Sequence, residues 1–213
     1  WKTRSNLFLP FRNGNGWQDV GEPGIAGVVV NLYTSDGAAA GTLTTNGSGF
    51  YLFTGVVPRG DYIEFGRPAG YVFTVKDANA NGSDLTDSDA DPVTGRTDVF
   101  TLTSGQSDLT RDAGLYVPAD LGDYVWYDAS NDGLQDVGEP GLGNITLRLY
   151  RDNGNGVCEP EAGDSSAVET RVTDGDGGYL FSGLRPGGYC VDVGNGTVPV
   201  GLVLTVGAQS RTD

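Results

Sequence analysis

Residues 128–139 read Asp-Ala-Ser-Asn-Asp-Gly-Leu-Gln-Asp-Val-Gly-Glu, with four carboxylates in twelve positions of a chain whose formal charge is already -15. Counting Asp128 as position 1 puts Ser130 at 3, Asp132 at 5, Gly133 at 6, Leu134 at 7, Asp136 at 9 and Glu139 at 12. That is the ligand spacing of a twelve-residue calcium loop, in which oxygens converge on the ion and glycine permits the sharp turn. Position 7 of such a loop offers a backbone carbonyl, and the closing glutamate binds through both oxygens. Two carboxylates about 4 Å apart repel by about 1 kcal/mol in water and by more where solvent is scarce. Converging carboxylates therefore disfavour the fold until a divalent cation joins them. A merely solvated acidic turn would require neither the glycine nor the full spacing.

The spacing also occurs earlier, at Asn13, Asn15, Gly16, Trp17, Asp19 and Glu22, with Phe11 at position 1. Fewer charges predict weaker binding there, with water or another segment supplying the missing ligand. A second acidic region runs from Asp77 to Asp91 and begins with Asp77, Asn79, Asn81 and Gly82, but its twelfth position is Ser88. Beyond Asp84 it alternates Asp87, Asp89 and Asp91, and alternate residues of an extended segment share one face. One or two Ca²⁺ ions are expected here. A further stretch, residues 151–161, aligns Asn153, Asn155, Gly156 and Glu159, has Arg151 at position 1, and has Asp152, Glu161 and Asp164 as substitute ligands.

Other chemistries are excluded by what is missing. The chain has no histidine, so Ser-His-Asp, Cys-His and zinc-histidine sites cannot be built within it. A hydrolase using paired carboxylates, Asp128 and Asp132 being the nearest pair, needs an apolar cleft that raises one pKa, which a hydrophilic loop does not offer. The 13 basic residues are scattered singly, so no basic footprint for nucleic acid or anionic membrane exists. No apolar run approaches the ~18 residues a membrane span needs. Cys158 and Cys190 either form one disulfide in an oxidising compartment or stay as two buried thiols.

The loops must be held by elements, and those elements repeat. The residue after the central glycine is Trp17 in one copy and Leu134 in the other, and 134 minus 17 gives a period of 117 residues. Gly is abundant at 35 and Pro adds 10, while apolar residues come in short runs. This pattern predicts an all-β chain of two tandem β-sandwich domains, at 1–117 and 118–213. Strands are expected at 28–33, 50–53, 61–65, 71–75, 97–102 and 109–116. In the second unit they are expected at 122–127, 144–150, 168–172, 179–181, 189–193 and 202–206. Tyr124 and Trp126 alternate with Val125 and Tyr127, which marks the two faces of a strand. Pro118-Ala119 is a short seam with little slack. Nothing in the second unit matches Thr97 to Tyr116, so its sheet is expected to lack one or two strands and to expose an edge to strand addition.

The combination of Gly122–Asp128 with its loop, Val-Gly-Glu-Pro-Gly, Asn144–Tyr150 and Thr173–Tyr189 resembles the SdrD B-like repeat of bacterial surface adhesins, a relative of the collagen-adhesin (Cna) B-type domain. Asp87–Thr97 and Asp112–Tyr116 of the first unit are also similar to that family. The resemblance implies a transthyretin-like or immunoglobulin-like sandwich, Ca²⁺-bound loops, export to the cell surface and a stalk role, with a host or surface ligand or neighbouring copies of the chain as partners. Strand donation between neighbouring chains, building a filament, is the alternative role. Many Cna B-type relatives carry a Lys-Asn crosslink. Only Lys2 and Lys76 exist here, so the second unit cannot form one, and Lys76 is expected to be a solvated charge.

Overall fold

The computed structural model describes residues 8–10, 13–78, 86–160 and 162–204. The chain packs as two compact units, Trp1–Pro118 and Ala119–Asp213. Among the described residues both are built from strands and turns, with one short 3₁₀ turn, Asn195–Thr197, and no α-helix.

The first unit contains β1 (Phe8–Pro10), β2 (Val29–Thr34), β3 (Ala39–Thr44), β4 (Gly60–Phe65), β5 (Val72–Phe73), β6 (Phe100–Thr101) and β7 (Ala113–Tyr116). One antiparallel sheet runs β3-β2-β4-β6, and a second runs β1-β7-β5, with β7 parallel to β1 and antiparallel to β5. Alternation along β2 and β4 turns Val30, Leu32, Ile63 and Phe65 inward, where they pack with Val28, Tyr51, Phe73, Ala113 and Leu115. Two packed layers bury what neither sheet could bury alone.

The second unit repeats this plan with β8 (Ala119–Tyr124), β9 (Thr146–Arg151), β10 (Glu169–Val172), β11 (Gly178–Leu184) and β12 (Tyr189–Val193). Its sheets run β10-β9-β12 and β11-β8. Val28, Val30 and Leu32 recur as Ile145, Leu147 and Leu149. A buried threonine is repeated as well. Thr45 Oγ1 accepts from the Val28 amide at 2.9 Å and donates to the Ile25 carbonyl at 2.7 Å. Thr173 does the same for Ile145 at 3.0 Å and Leu142 at 2.6 Å. The spacing from Val28 to Thr45 is 17 and from Ile145 to Thr173 is 28, so 11 extra residues lie between β9 and β10. That insertion carries the third oxygen-rich loop and Cys158, which forms a disulfide with Cys190 of β12 across a Cα–Cα distance of 5.7 Å.

Three expectations fail. Ala39–Thr44, where no strand is expected, form the edge strand β3, because β2 supplies a ladder that overrides the weak strand preference of Ala and Gly. Residues 50–53 form no named strand in the first unit; Tyr51 is anchored by its side chain, edge-on to Phe53 and Phe65 with its hydroxyl on the Arg111 carbonyl at 2.5 Å. The first strand of the second unit also begins earlier than expected, at Ala119, because β11 extends to pair with it there.

Candidate cation-binding loops

The two repeated loops are shaped alike. Gly14, Gly16 and Gly21 in one and Asn131, Gly133 and Gly138 in the other all have positive φ, with Gly16 at 88° and Gly133 at 78°. At position 6 this left-handed turn reverses the chain, and only glycine adopts it without strain.

In the second unit the carboxylates gather backbone amides. Asp128 Oδ1 accepts from Asn131 at 2.6 Å, and its Oδ2 accepts from Gly133 at 2.9 Å. Asp132 Oδ1 accepts from the Leu134 amide at 2.8 Å. Glu139 reaches back across the loop, with Oε1 on the Ala129 amide at 2.8 Å and Oε2 on the Asp136 amide at 3.0 Å. Ser130 Oγ donates to Asp128 at 3.3 Å. Desolvation pulls the Asp128 pKa up, but the amides of Gly133, Asn131 and Asp132 outweigh it and hold the carboxyl below its ordinary 3.8. A general acid needs the opposite shift.

The first unit reproduces the same bonds at the same positions. The Trp17 amide donates to Asn15 Oδ1 at 2.8 Å and the Asp19 amide to Glu22 Oε2 at 3.0 Å. Asn13 and Asn15 point their amide nitrogens at Asp19 Oδ2, at 2.9 and 3.1 Å. Position 1, Phe11, lies outside the described residues, as do Asn79, Asn81 and Asp84 of the second acidic region.

The remainder of that region packs against the first loop. Trp17 bridges Asp87, the Gln18 amide donates to the Thr86 carbonyl at 2.6 Å, and the Ser88 amide donates to the Gly16 carbonyl at 3.1 Å. Asp77 is tied in by its amide, 2.8 Å from the Ser88 carbonyl. Asp87 and Asp89 are buried. Asp89 holds the Arg111 guanidinium at 2.8 Å and the Asp112 amide at 2.8 Å. Asp91 receives the Val93 and Thr94 amides at 3.0 and 2.7 Å, which closes a turn. These two carboxylates thus have structural partners that their spacing did not show. Lys76 is not a free solvated charge: its ammonium lies 2.6 Å from Asp98 and 3.7 Å from Asp77.

In the inserted loop, Asp164 accepts from the Asn153 and Glu159 amides at 3.1 and 2.7 Å, Asp152 from Gly156 at 3.2 Å, and Glu159 from Asn155 Nδ2 at 2.9 Å. Arg151 at position 1 turns away, onto the Tyr189 ring and the Pro186 carbonyl at 3.1 Å. Among the described residues, the one trio of candidate ligand atoms within 4.8 Å of one another is Cys158, Asp164 and Cys190, and its sulfurs are already joined as the disulfide. Among the described residues, no three carboxylates of 128–139 bring ligand oxygens within 4.8 Å of one another.

The model of the SdrD B-like domain matches residues 10–115 and again 119–213. The chain belongs to the SdrD B-like domain family. It is 38% identical over 190 residues to serine-aspartate repeat-containing protein F of Staphylococcus epidermidis, covering 84% of this chain and 9% of that protein. It is 37% identical over 204 residues to serine-aspartate repeat-containing protein E of Staphylococcus aureus strain USA300, covering 94% of this chain and 16% of that protein. The chain therefore spans less than a fifth of these curated relatives. Among solved structures, the Bacillus anthracis TIE protein aligns with TM-score 0.36 at 14% identity, over 89% of this chain and 28% of that one. The minor pilin GBS52 of Streptococcus agalactiae aligns with TM-score 0.29 at 18% identity, over 90% and 84%. Likenesses at that level carry no argument here. Family membership makes the chain a repeat module of a bacterial cell-surface protein.

Proposed function

We propose that this SdrD B-like pair is a calcium-stiffened structural module that carries other parts of a surface adhesin outward. The observation that supports this is the duplicated loop: at Asn13–Glu22 and Ser130–Glu139, 117 residues apart, the same two hydrogen bonds recur at the same lengths around the same left-handed glycine. The donor set is oxygen only, which suits a hard cation. Asp128, Asp132, Asp136 and Glu139, with Ser130 and the Leu134 carbonyl, would hold Ca²⁺ in the second unit. Asn13, Asn15, Asp19, Glu22 and the Trp17 carbonyl would do so in the first, beside Asp77 and Asp87. Bound Ca²⁺ supplies the positive charge that offsets carboxylate repulsion. The protein's own part is to pre-arrange the loop by its amide bonds, leaving side-chain rotation to complete the cage.

Extracellular modules bind Ca²⁺ at about 10⁻⁴–10⁻³ M, and a site at a hundredth of the free concentration adds about 2.7 kcal/mol to stability. Thermal unfolding in excess chelator and then in calcium tests the proposal. The melting temperature should rise by several degrees with calcium, and less in a Glu139→Gln variant. An equal melting temperature in both buffers removes the mechanism.

A further inference from the structure

Tyr150 is only 1% exposed, yet it lies outside the core cluster of the second unit. Along a strand, successive side chains alternate between the two faces of the sheet. Leu147 and Leu149 point into the core, so Arg148 and Tyr150 share the outer face of β9, where Arg148 is exposed. The tyrosine is therefore covered from outside the sandwich.

The first unit carries the same place without a cover. Val30 and Leu32 correspond to Leu147 and Leu149, which makes Tyr33 the counterpart of Tyr150. Register then equates their cross-strand partners: Tyr33 pairs with Tyr62, and Tyr150 pairs with Cys190. Tyr33 and Tyr62 are half-buried and stack at 5.3 Å between ring centroids, with the exposed Arg96 guanidinium over the Tyr62 ring. The chain leaves β2 by a tight turn, with the Thr34 amide on the Ala38 carbonyl at 2.9 Å, and has no length to fold back over the rings.

In the second unit the insertion follows β9 directly and brings Cys158 to Cys190, which stands where Tyr62 stands in the first. The insertion bonds largely to itself. The Asn153 and Glu159 amides donate to Asp164, the Gly156 amide to Asp152, and Asn155 Nδ2 to Glu159. Its ends are fixed to the sheet, by the Asp152 amide on the Gly188 carbonyl at 3.0 Å and the Arg151 amide on Ser165 Oγ at 3.1 Å. Its middle is tied there by the disulfide, beside the buried tyrosine. Cys158 is exposed, so a thiol in solution can reach its sulfur.

We infer that residues 152–160 form a redox-locked cover, held closed over Tyr150 by the Cys158–Cys190 bond and released by a dithiol reductant. A thiolate of the reductant attacks the Cys158 sulfur, the S–S bond breaks, and Cys190 leaves as a thiolate that takes up a proton. The reductant's second thiolate then displaces Cys158, which is protonated in turn. Two electrons and two protons pass to the protein, and the dithiol becomes a cyclic disulfide. Reduction thus turns the outer face of the second unit into the open counterpart of the first.

The test uses the full chain in chelator, which keeps it separate from the calcium reading. Nitration by tetranitromethane, mapped by peptide mass spectrometry, reports each tyrosine. In the oxidised chain Tyr33 and Tyr62 should react and Tyr150 should not. Tyr150 should react at least about tenfold faster once local opening no longer works against a covalent tie. That state is reached by reduction with dithiothreitol and capping of the thiols with iodoacetamide, and independently in a variant carrying both Cys158→Ser and Cys190→Ser. Tyr179, packed against the core, should keep its rate, and hydrogen exchange should find the β8 and β11 amides as protected as before. A Tyr150 that stays unreactive without the disulfide overturns the proposal, because the loop's own bonds would then suffice. Loss of protection at Tyr179 and β11 together with Tyr150 overturns it as well, since the disulfide would then hold the whole unit rather than a cover.

Discussion

A single carboxylate shows how these loops couple charge to structure. Asp128 accepts amides from Asn131, Asp132 and Gly133, and these bonds favour its ionised form over the desolvation that opposes it. A group whose folded pKa is depressed stabilises the fold above its unfolded pKa, and that contribution is lost as pH falls through the folded value. The window for this loop therefore lies below pH 3.8, the ordinary value. In calcium-free solution the Asn131 and Gly133 amide resonances should stay fixed down to that pH and move together below it. An Asp128→Asn variant should show no such transition. A midpoint at or above the ordinary value would contradict the geometry. The loop's shape, its left-handed Gly133 and the amide bonds to Asp128 and Glu139, was legible from twelve residues of sequence, since turn geometry is local. The partners of Asp89 were not, because Arg111 lies 22 residues away and meets it only through the fold.

At the scale of elements, the first loop is a structural part of its unit as well as a candidate site. Its Gly16 docks on the segment after β5, where an added Cβ would lie 2.5 Å from Ala78 Cβ and 2.9 Å from the Val75 carbonyl oxygen. Gly21, with a similar φ of 93°, has nothing within 4 Å of the same added atom. Alanine at either place carries the left-handed backbone penalty of about 1–2 kcal/mol, but only Gly16→Ala also forces two segments apart. Urea denaturation should therefore find Gly16→Ala the more destabilising by at least about 1 kcal/mol. Equal losses would mean that the loop does not rest on Val75 and Ala78. Sequence pattern foretold β2, β4, β9 and β12, whose alternating or β-branched residues bury one face. It missed β3, where Ala39, Ala40 and Gly41 are strand only because β2 pairs with them, and it misassigned residues 50–53, whose aromatics pack without a ladder. Edge pairing depends on neighbours distant in sequence, and local propensity cannot report it.

For the whole molecule the governing quantity is the formal charge of -15, which makes the folded chain repel itself and leaves two explanations for any stabilisation by calcium. Screening is general. The Debye length falls from about 8 Å at 0.15 M salt to about 3 Å at 1 M, so sodium chloride alone should raise the melting temperature of the chelated chain. Binding in the oxygen loops, as proposed, would instead be selective. Calcium accepts six to eight oxygens in flexible geometry, whereas magnesium demands a small octahedron and gives up its waters reluctantly. Loops that offered a serine hydroxyl, a backbone carbonyl and a bidentate glutamate, as proposed, would suit the larger ion. At equal millimolar concentration and constant ionic strength, calcium should raise the melting temperature by several degrees more than magnesium, and the difference should shrink in 1 M salt without vanishing. Equal shifts from the two ions would assign the effect to screening of an acidic surface and would leave the repeated loops with a purely structural role.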